Sequence, residues 1–271
     1  MSHPWDETVT TAPSTHDDYL AFCDGVRRLC QVDLRQYERG QMERRIRSFA
    51  ARRGAMRLGE YLSLLTAEVQ ELESFLDRMT INVSQLWRNP EQWNVLAREV
   101  LPQLADRSRI NAWSAGCSYG AEAYTLAAVC LAHAPTASLE IRGTDIDVRM
   151  VERAREGRFS AEDARTAPRA ALDRFFEPEG EGWRAASALK QVTRFETGDL
   201  LQMPFPSAAY DLVLCRNTVI YFTDEVRDSL HTRLAGAIRA GGYLMIGSTE
   251  RVSNPPEIGL VPVRPFIYRK A

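Results

Sequence analysis

The hydrophobic rhythm of the chain changes once. Up to about residue 79, apolar side chains recur three and four positions apart. Tyr19, Phe22, Val26, Leu29 and Cys30 predict a helix over 17–31, and Met42, Ile46 and Phe49 a second over 37–53 that stops near Gly54. Two shorter helices fit 58–66 and 67–79, and no strand suggests itself here. After residue 108 short apolar runs alternate with helical stretches. The runs predict strands at 109–115, 138–144, 191–196, 210–215 and 242–247, with helices at 120–133, 147–156 and 225–239. Such alternation predicts an α/β domain with a mainly parallel sheet. Residues 261–269 read as an antiparallel edge strand. The stretch 158–190 is too long for a crossover loop and predicts a small inserted subdomain.

The expected organisation is a flexible lead-in at 1–16, a helical domain at 17–80, a linker and helix at 81–108, and an α/β domain at 109–271. Composition narrows the class. With 271 residues, 45% hydrophobic and 26% charged, the chain is neither disordered nor low in complexity. A formal net charge of -2 argues against a generally basic nucleic-acid binder. No apolar stretch reaches the ~18 residues of a membrane span, since 121–134 is interrupted by Glu122 and His133. The first 15 residues lack the basic start and apolar core of a secretory leader. We therefore expect a cytoplasmic monomer without nucleic-acid partners or membrane insertion. Five cysteines with no close pair, and four histidines of which two fall in the lead-in, predict no disulfide framework and no metal site.

Chemistry concentrates at strand ends. Trp113-Ser-Ala-Gly-Cys-Ser-Tyr-Gly-Ala-Glu122 follows a predicted strand and opens a helix, and Gly116 and Gly120 allow a sharp turn close to a ligand. The segment lacks a full GxGxxG, so alone it is a weak signal. Asp145, in Gly143-Thr-Asp-Ile-Asp147, ends the next strand and is placed to accept hydrogen bonds from two ribose hydroxyls. Asp147 reads as the cap of the following helix. Asp199, in Gly198-Asp-Leu200, ends a third strand beside the same crevice, where an adenine amino group would sit. This much describes an adenosine pocket, and a nicotinamide-dependent oxidoreductase fits it equally well.

Four segments in order carry a resemblance: Thr80-Ile-Asn-Val-Ser-Gln-Leu-Trp-Arg88, Trp113-Ser-Ala-Gly-Cys-Ser118, Thr144-Asp-Ile-Asp147 and Cys215-Arg-Asn-Thr-Val-Ile-Tyr-Phe222. Together they are similar to the CheR-type chemotaxis receptor methyltransferases, which methylate receptor glutamates with S-adenosylmethionine. The resemblance covers roughly 17–271. It implies a helical domain followed by a Rossmann-like class I methyltransferase domain with a small inserted antiparallel subdomain. It also implies that Asn82, Ser84, Arg88, Glu122, Asp145, Asp199, Leu200, Arg216 and Asn217 contact S-adenosylmethionine or its product S-adenosylhomocysteine. Arg88 and Tyr221 match positions beside the transferred methyl. The chain departs from the family pattern at Leu86-Trp87, Tyr119 and Ala121. In some members the subdomain grips a receptor-tail peptide by strand addition. Here Glu177, Glu179 and Glu181 predict repulsion of an acidic tether, with candidate strands at 174–176, 183–186 and 192–195.

Methylating a glutamate needs no general base, because the carboxylate is ionised near neutral pH with a pKa of ~4.3. Positioning and a partly dry pocket suffice, and arginine and tyrosine are the residue types to orient charged groups. Cys117 and Cys215 read as buried packing residues. Charge is segregated in the helical domain: 35–57 hold eight arginines against two acids, and 58–77 hold five acids and no Lys or Arg. Arg44, Arg45, Arg47 and Arg52 fall opposite the apolar face of their helix. The bland reading is a solvated face paired with the domain's own acids. The resemblance favours recognition of the acidic helical domain of a receptor. A non-catalytic S-adenosylmethionine-binding module remains the other alternative.

Overall fold

The computed structural model of the chain describes residues 15–79, 84–105 and 107–271, which fall into two units, 1–79 and 80–271. The first unit is built from α1 (Thr15–Cys30), α2 (Arg39–Arg52), α3 (Leu58–Ala67) and α4 (Val69–Met79). Helix α1 starts two residues before the predicted position 17 and ends one residue before the predicted 31. The predicted apolar faces meet: Phe22, Val26, Met42, Ile46, Leu58, Tyr61, Leu65 and Phe75 are buried together. Phe22 stacks on Tyr61 at 6.1 Å and meets the edge of Phe75 at 6.0 Å. The Tyr61 hydroxyl donates to buried Glu71 at 2.9 Å, and Arg53 closes on the other Glu71 oxygen at 3.1 Å. The acidic run is thus met chiefly by Arg53, which also pairs with Glu68 at 2.8 Å.

The four arginines singled out on α2 divide. Arg47 pairs with Glu43 at 2.8 Å and Asp18 at 3.4 Å. Arg52 lies over the Phe49 ring at 5.1 Å, and Arg45 donates to the Arg78 carbonyl. Arg44 is exposed. Arg45 and Arg52 thus flank the apolar side of α2 instead of opposing it. Among the described residues, own-domain contacts engage three of the four arginines, with Arg44 the exception.

In the second unit α5 (Pro90–Val95), a π turn (Leu96–Val100) and α6 (Leu101–Leu104) lead into the sheet. Pro102 cannot donate to the helical ladder, and a wider turn just before it accommodates the ring. Then come β1 (Arg109–Ala115), α7 (Ala121–His133), β2 (Ser138–Asp145), α8 (Val148–Glu156), β3 (Arg158–Phe159), α9 (Arg169–Phe175), β4 (Phe176–Glu179), β5 (Gly182–Ala185), α10 (Ser187–Val192) and β6 (Thr193–Thr197). The chain finishes with β7 (Tyr210–Cys215), α11 (Asp224–Ala237), β8 (Ile238–Ile246), β9 (Leu260–Arg264) and β10 (Ile267–Lys270). The main sheet has the order β6-β2-β1-β7-β8-β10-β9. Strands β6, β2, β1, β7 and β8 run parallel, and β10 is antiparallel to both its neighbours. Helix α7 is buried nearly all round, which explains the long apolar stretch there.

Three expectations need correction. Residues 261–269 form two strands, with β10 inside the sheet and β9 at its edge. Strand β8 begins at Ile238, because Ile238 pairs with Tyr210 before the ladder shifts at Gly241 and Gly242. A Cβ at Gly242 would stand 2.8 Å from the Asp211 carbonyl oxygen. The small sheet, order β3-β5-β4, uses neither 192–195, where Val192 ends α10 and 193–195 belong to the main sheet, nor 174–175, which end α9. Two of the three acids singled out there are paired. Glu177 pairs with Arg184 across β4–β5 at 2.8 Å, and Glu179 with Arg158 at 3.0 Å. Pairing weakens the expected repulsion of an acidic peptide at Glu177 and Glu179, while Glu181 stays exposed in the turn between β4 and β5.

Candidate active site

The parallel strands bring their carboxyl ends to one edge of the main sheet, and the polar residues singled out there collect on that edge. Strand β1 runs into a turn at 116–120. The N–H groups of Gly116 and Cys117 both donate to the Thr144 carbonyl, at 2.8 and 3.0 Å, fastening the turn to the end of β2. Gly116 has φ 81° and Gly120 φ 85°. A Cβ at Gly116 would lie 2.4 Å from Thr218 Oγ1, and one at Gly120 2.9 Å from the Ala154 Cβ. Both positions require glycine.

Asp145 faces this turn. Its Oδ2 accepts the Ser118 N–H at 2.7 Å and its Oδ1 the Asp147 N–H at 3.0 Å. Burial pushes its carboxyl above the usual range. Backbone N–H groups fix the carboxylate without any cationic side chain, and an acceptor group held in this way suits the donors of a ribose diol. Asp147 caps α8 through the Arg149 and Met150 N–H groups, as expected. The Gly198 N–H donates to the Asp145 carbonyl at 2.9 Å, so Asp199 and buried Leu200 follow directly beside it. Asp199 is oriented by the Leu201 N–H and by Gln202, both at 2.8 Å. Arg233 of α11 holds the loop by donating to the Leu200 and Leu201 carbonyls at 2.7 and 3.1 Å.

Behind the turn lies a buried ionic cluster. Glu122 accepts from Ser114 Oγ at 2.7 Å and from Arg216 Nη1 at 3.2 Å. Burial pushes Glu122 upward while Arg216 works against the shift. The Arg216 side chain is 2% exposed. It also donates to Gln92 Oε1 at 2.6 and 3.0 Å, to Asn89 Oδ1 at 3.1 Å and to the Arg88 carbonyl at 2.9 Å. These bonds make Arg216 a clamp that ties the end of β7 to the segment carrying Arg88. Next to it Asn217 adopts φ 60°, and Tyr221 ends a 3-10 turn over Val219–Tyr221. Glu250, which the sequence reading missed, fixes this loop by accepting the Val219 N–H at 3.2 Å and the Gly247 N–H at 2.6 Å. A carboxylate three residues after a strand-end glycine was the available signal. Cys117 and Cys215 are fully buried, and burial holds both thiols well above their usual range. The Ser84 carbonyl accepts from Tyr119. Asn82 lies outside the described residues.

Five parallel strands with one antiparallel partner, a glycine turn, and an acid ending the second strand define an α/β domain with a nucleoside-binding edge, and the match of residues 82–264 to a SAM-binding methyltransferase domain makes it an S-adenosylmethionine-dependent methyltransferase. The comparisons specify it further. Residues 82–264 match the family described as CheR methyltransferase, SAM binding domain, and residues 17–80 match CheR methyltransferase, all-alpha domain. The chemotaxis protein methyltransferase of Listeria innocua is 33% identical over 95% of this chain and 99% of its own length. Chemotaxis protein methyltransferase 1 of Pseudomonas aeruginosa is 28% identical over 89% of this chain and 92% of its own. The chain belongs to the CheR methyltransferase family, and its cofactor is S-adenosylmethionine. The nicotinamide alternative receives no support. Among the described residues no helix is long and apolar enough to cross a membrane.

Proposed function

We propose that this enzyme methylates glutamate side chains in the cytoplasmic helical domain of a methyl-accepting receptor, giving glutamate methyl esters and S-adenosylhomocysteine. The observation that carries the reading is a juxtaposition at one sheet edge. A nucleoside acceptor set, Asp145 and Asp199, shares that edge with the end of β7, where Arg216 grips the carbonyl of Arg88. When bound, the cofactor supplies an electrophilic sulfonium methyl.

The protein's own part is positioning. We assign Asp145 to the ribose and Asp199 with Leu200 to the adenine, with Gly116 leaving room for the cofactor's close approach. Ser84, Asn217 and Asn82 complete the cofactor shell. Glu122 and Arg216 support it from behind. Arg88 holds charged carboxyl groups near the methyl, and Tyr221 orients the substrate glutamate. The attacking carboxylate arrives ionised, and opposite charges disappear as the ester forms. A partly dry pocket therefore lowers the barrier relative to solvated ions. Recognition of the receptor falls to the arginine face of α2, led by Arg44 and Arg45.

The test is methyl transfer to a helical receptor fragment that carries glutamates. Mass spectrometry should find a base-labile methyl ester on glutamate, in amounts matched by the S-adenosylhomocysteine formed. Tyr221→Phe should lower kcat more than cofactor affinity. Methylation confined to other residue types would refute the reaction, and wild-type turnover in Tyr221→Phe would refute the role of Tyr221.

A further inference from the structure

One side chain of the glycine turn is not explained by cradling a cofactor. Tyr119 is 3% exposed, and its hydroxyl reaches two acceptors, Asp163 Oδ1 at 2.8 Å and the main-chain carbonyl of Ser84. A phenol has one hydrogen to donate, so the two acceptors share it. Asp163 is itself held from several sides. Its Oδ2 accepts the Ser160 N–H at 2.8 Å and Arg153 Nη2 at 3.2 Å, and the Arg153 guanidinium also lies 4.0 Å from the Tyr119 ring centroid.

The loop that carries Asp163 reaches the same segment as Tyr119. The Asp163 carbonyl accepts the Leu86 N–H at 2.9 Å, and Thr166 Oγ1 donates to the Leu86 carbonyl at 2.8 Å. Arg165 donates to the Gln85 side chain at 3.2 Å. From the other side the Trp87 N–H donates to Thr125 Oγ1 of α7 at 3.1 Å. Residues 84–87 are thus gripped between the cofactor turn, α7 and the start of the insertion. The grip has a purpose in the backbone. Trp87 has φ 53° and Asn89 φ 58°, and Arg88 stands between them. Left-handed conformations at such residues cost free energy and persist only where the surroundings over-determine them.

We propose that Tyr119, backed by Asp163 and Arg153, is a positioning residue that sets the placement of Arg88 over the cofactor turn. The 160–166 loop of the insertion thereby becomes part of the catalytic apparatus. This rests on the reaction proposed above. Losing the hydroxyl leaves the Ser84 carbonyl and the Asp163 carboxylate one donor short and relaxes the strained segment. A displacement of roughly 1 Å at a positioned group is enough for a loss on the order of 100-fold.

Tyr119→Phe keeps the ring under Arg153 and removes only the hydroxyl. The expected result is a fall in kcat of about 30-fold or more, with S-adenosylhomocysteine affinity and the receptor-fragment KM changing less than about threefold. Hydrogen exchange should quicken at the Leu86 and Trp87 amides. Acting through Arg88, the substitution should cost nothing further in an Arg88→Ala background. Wild-type kcat in Tyr119→Phe, or losses that simply multiply in the double variant, would overturn the inference. Should Tyr119→Phe not fold, Arg153→Met removes only the half-exposed guanidinium. A several-fold loss confined to kcat then supports the inference, and an unchanged kcat overturns it. A wild-type protein that binds S-adenosylhomocysteine but methylates no glutamate sinks the reaction and the inference together. An active wild type with an indifferent Tyr119→Phe sinks the inference alone.

Discussion

Arginine is used in opposite ways in the two units. On α2, Arg44 is exposed, and Arg39 and Arg47 are partly exposed partners of Glu43. Exposed and half-exposed pairs of this kind contribute roughly 0–1 kcal/mol each. In the methyltransferase unit Arg216 is buried against Glu122, Gln92, Asn89 and the Arg88 carbonyl. A charge out of water stays only if every neighbour is arranged to receive it. The difference separates two jobs. Buried charge organises the site and is committed to its neighbours, whereas surface charge costs little to the fold and remains available to a partner.

The largest effect should come from breaking the buried cluster. Arg216→Ala strands Glu122 in a dry site and frees the Arg88 carbonyl, Asn89 and Gln92. A loss of about 3–5 kcal/mol in unfolding free energy is expected, read by denaturant titration. Glu122→Gln leaves a neutral acceptor for Arg216 and should cost less. Equal, small effects of both variants would show that the cluster is no more committed than the surface pairs.

A second buried group sharpens the contrast through pH. His231 of α11 is 1% exposed, and neither ring nitrogen has a partner among the described residues. Burial, helped by Arg227, lowers its pKa from 6.5 to about 4. The unfolded chain therefore takes up a proton on this ring near pH 6.5, while the folded protein resists until about pH 4. Its stabilising contribution is full above pH 6.5 and is lost progressively down to pH 4, by about 3 kcal/mol at most. Glu122, Asp145 and Glu250 have raised carboxyl pKa values, so they bind protons more readily when folded and act in the opposite sense. The His231 share is read by comparing wild type with His231→Leu between pH 7.5 and 4.5. Identical pH profiles would remove it.

Which of these roles could be read in advance depended on how local the cause was. Strand β1 and its neighbours were legible because short apolar runs leave few alternatives, and Asp145 because an acid at a strand end beside a glycine turn has few other uses. Arg216 was legible as a site position but not as a clamp, since Gln92, Asn89 and Arg88 meet it only after folding. Glu250 was missed for a related reason: its partners are backbone N–H groups, which carry no sequence signal. Glu177 and Glu179 read as bare charge because their partners, Arg184 and Arg158, meet them only across the folded strands.

Asp145 tests whether every buried charge here is structural. Unlike Glu122 it is held by backbone N–H groups, those of Ser118 and Asp147 foremost, and not by an arginine. A carboxylate arranged in this way has acceptor positions left for a ligand. Asp145→Ala should weaken S-adenosylhomocysteine binding by about 1.5–3 kcal/mol, the range for hydrogen bonds to a charged group. Calorimetry on the folded variant decides it: unchanged affinity would return Asp145 to the structural class.

The surface side of the comparison predicts the smallest change. Reversing Arg44 and Arg45 to glutamate touches one exposed side chain and one that donates to the Arg78 carbonyl. Stability should stay within about 0.5 kcal/mol of wild type, as for surface substitutions generally. Cofactor binding should be unaffected, because neither arginine is assigned to the cofactor. Methylation of an acidic receptor fragment should fall about tenfold, equivalent to about 1.4 kcal/mol of lost recognition. The wild-type rate should also decline as salt rises, since exposed charges are screened over about 10 Å at 0.1 M. The salt dependence is the sharper readout. If these arginines meet the receptor, the reversed variant should lose that decline and converge on wild type at high ionic strength. A reversed variant that keeps both the rate and its salt dependence would mean that the face is only solvated, and that receptor recognition lies elsewhere.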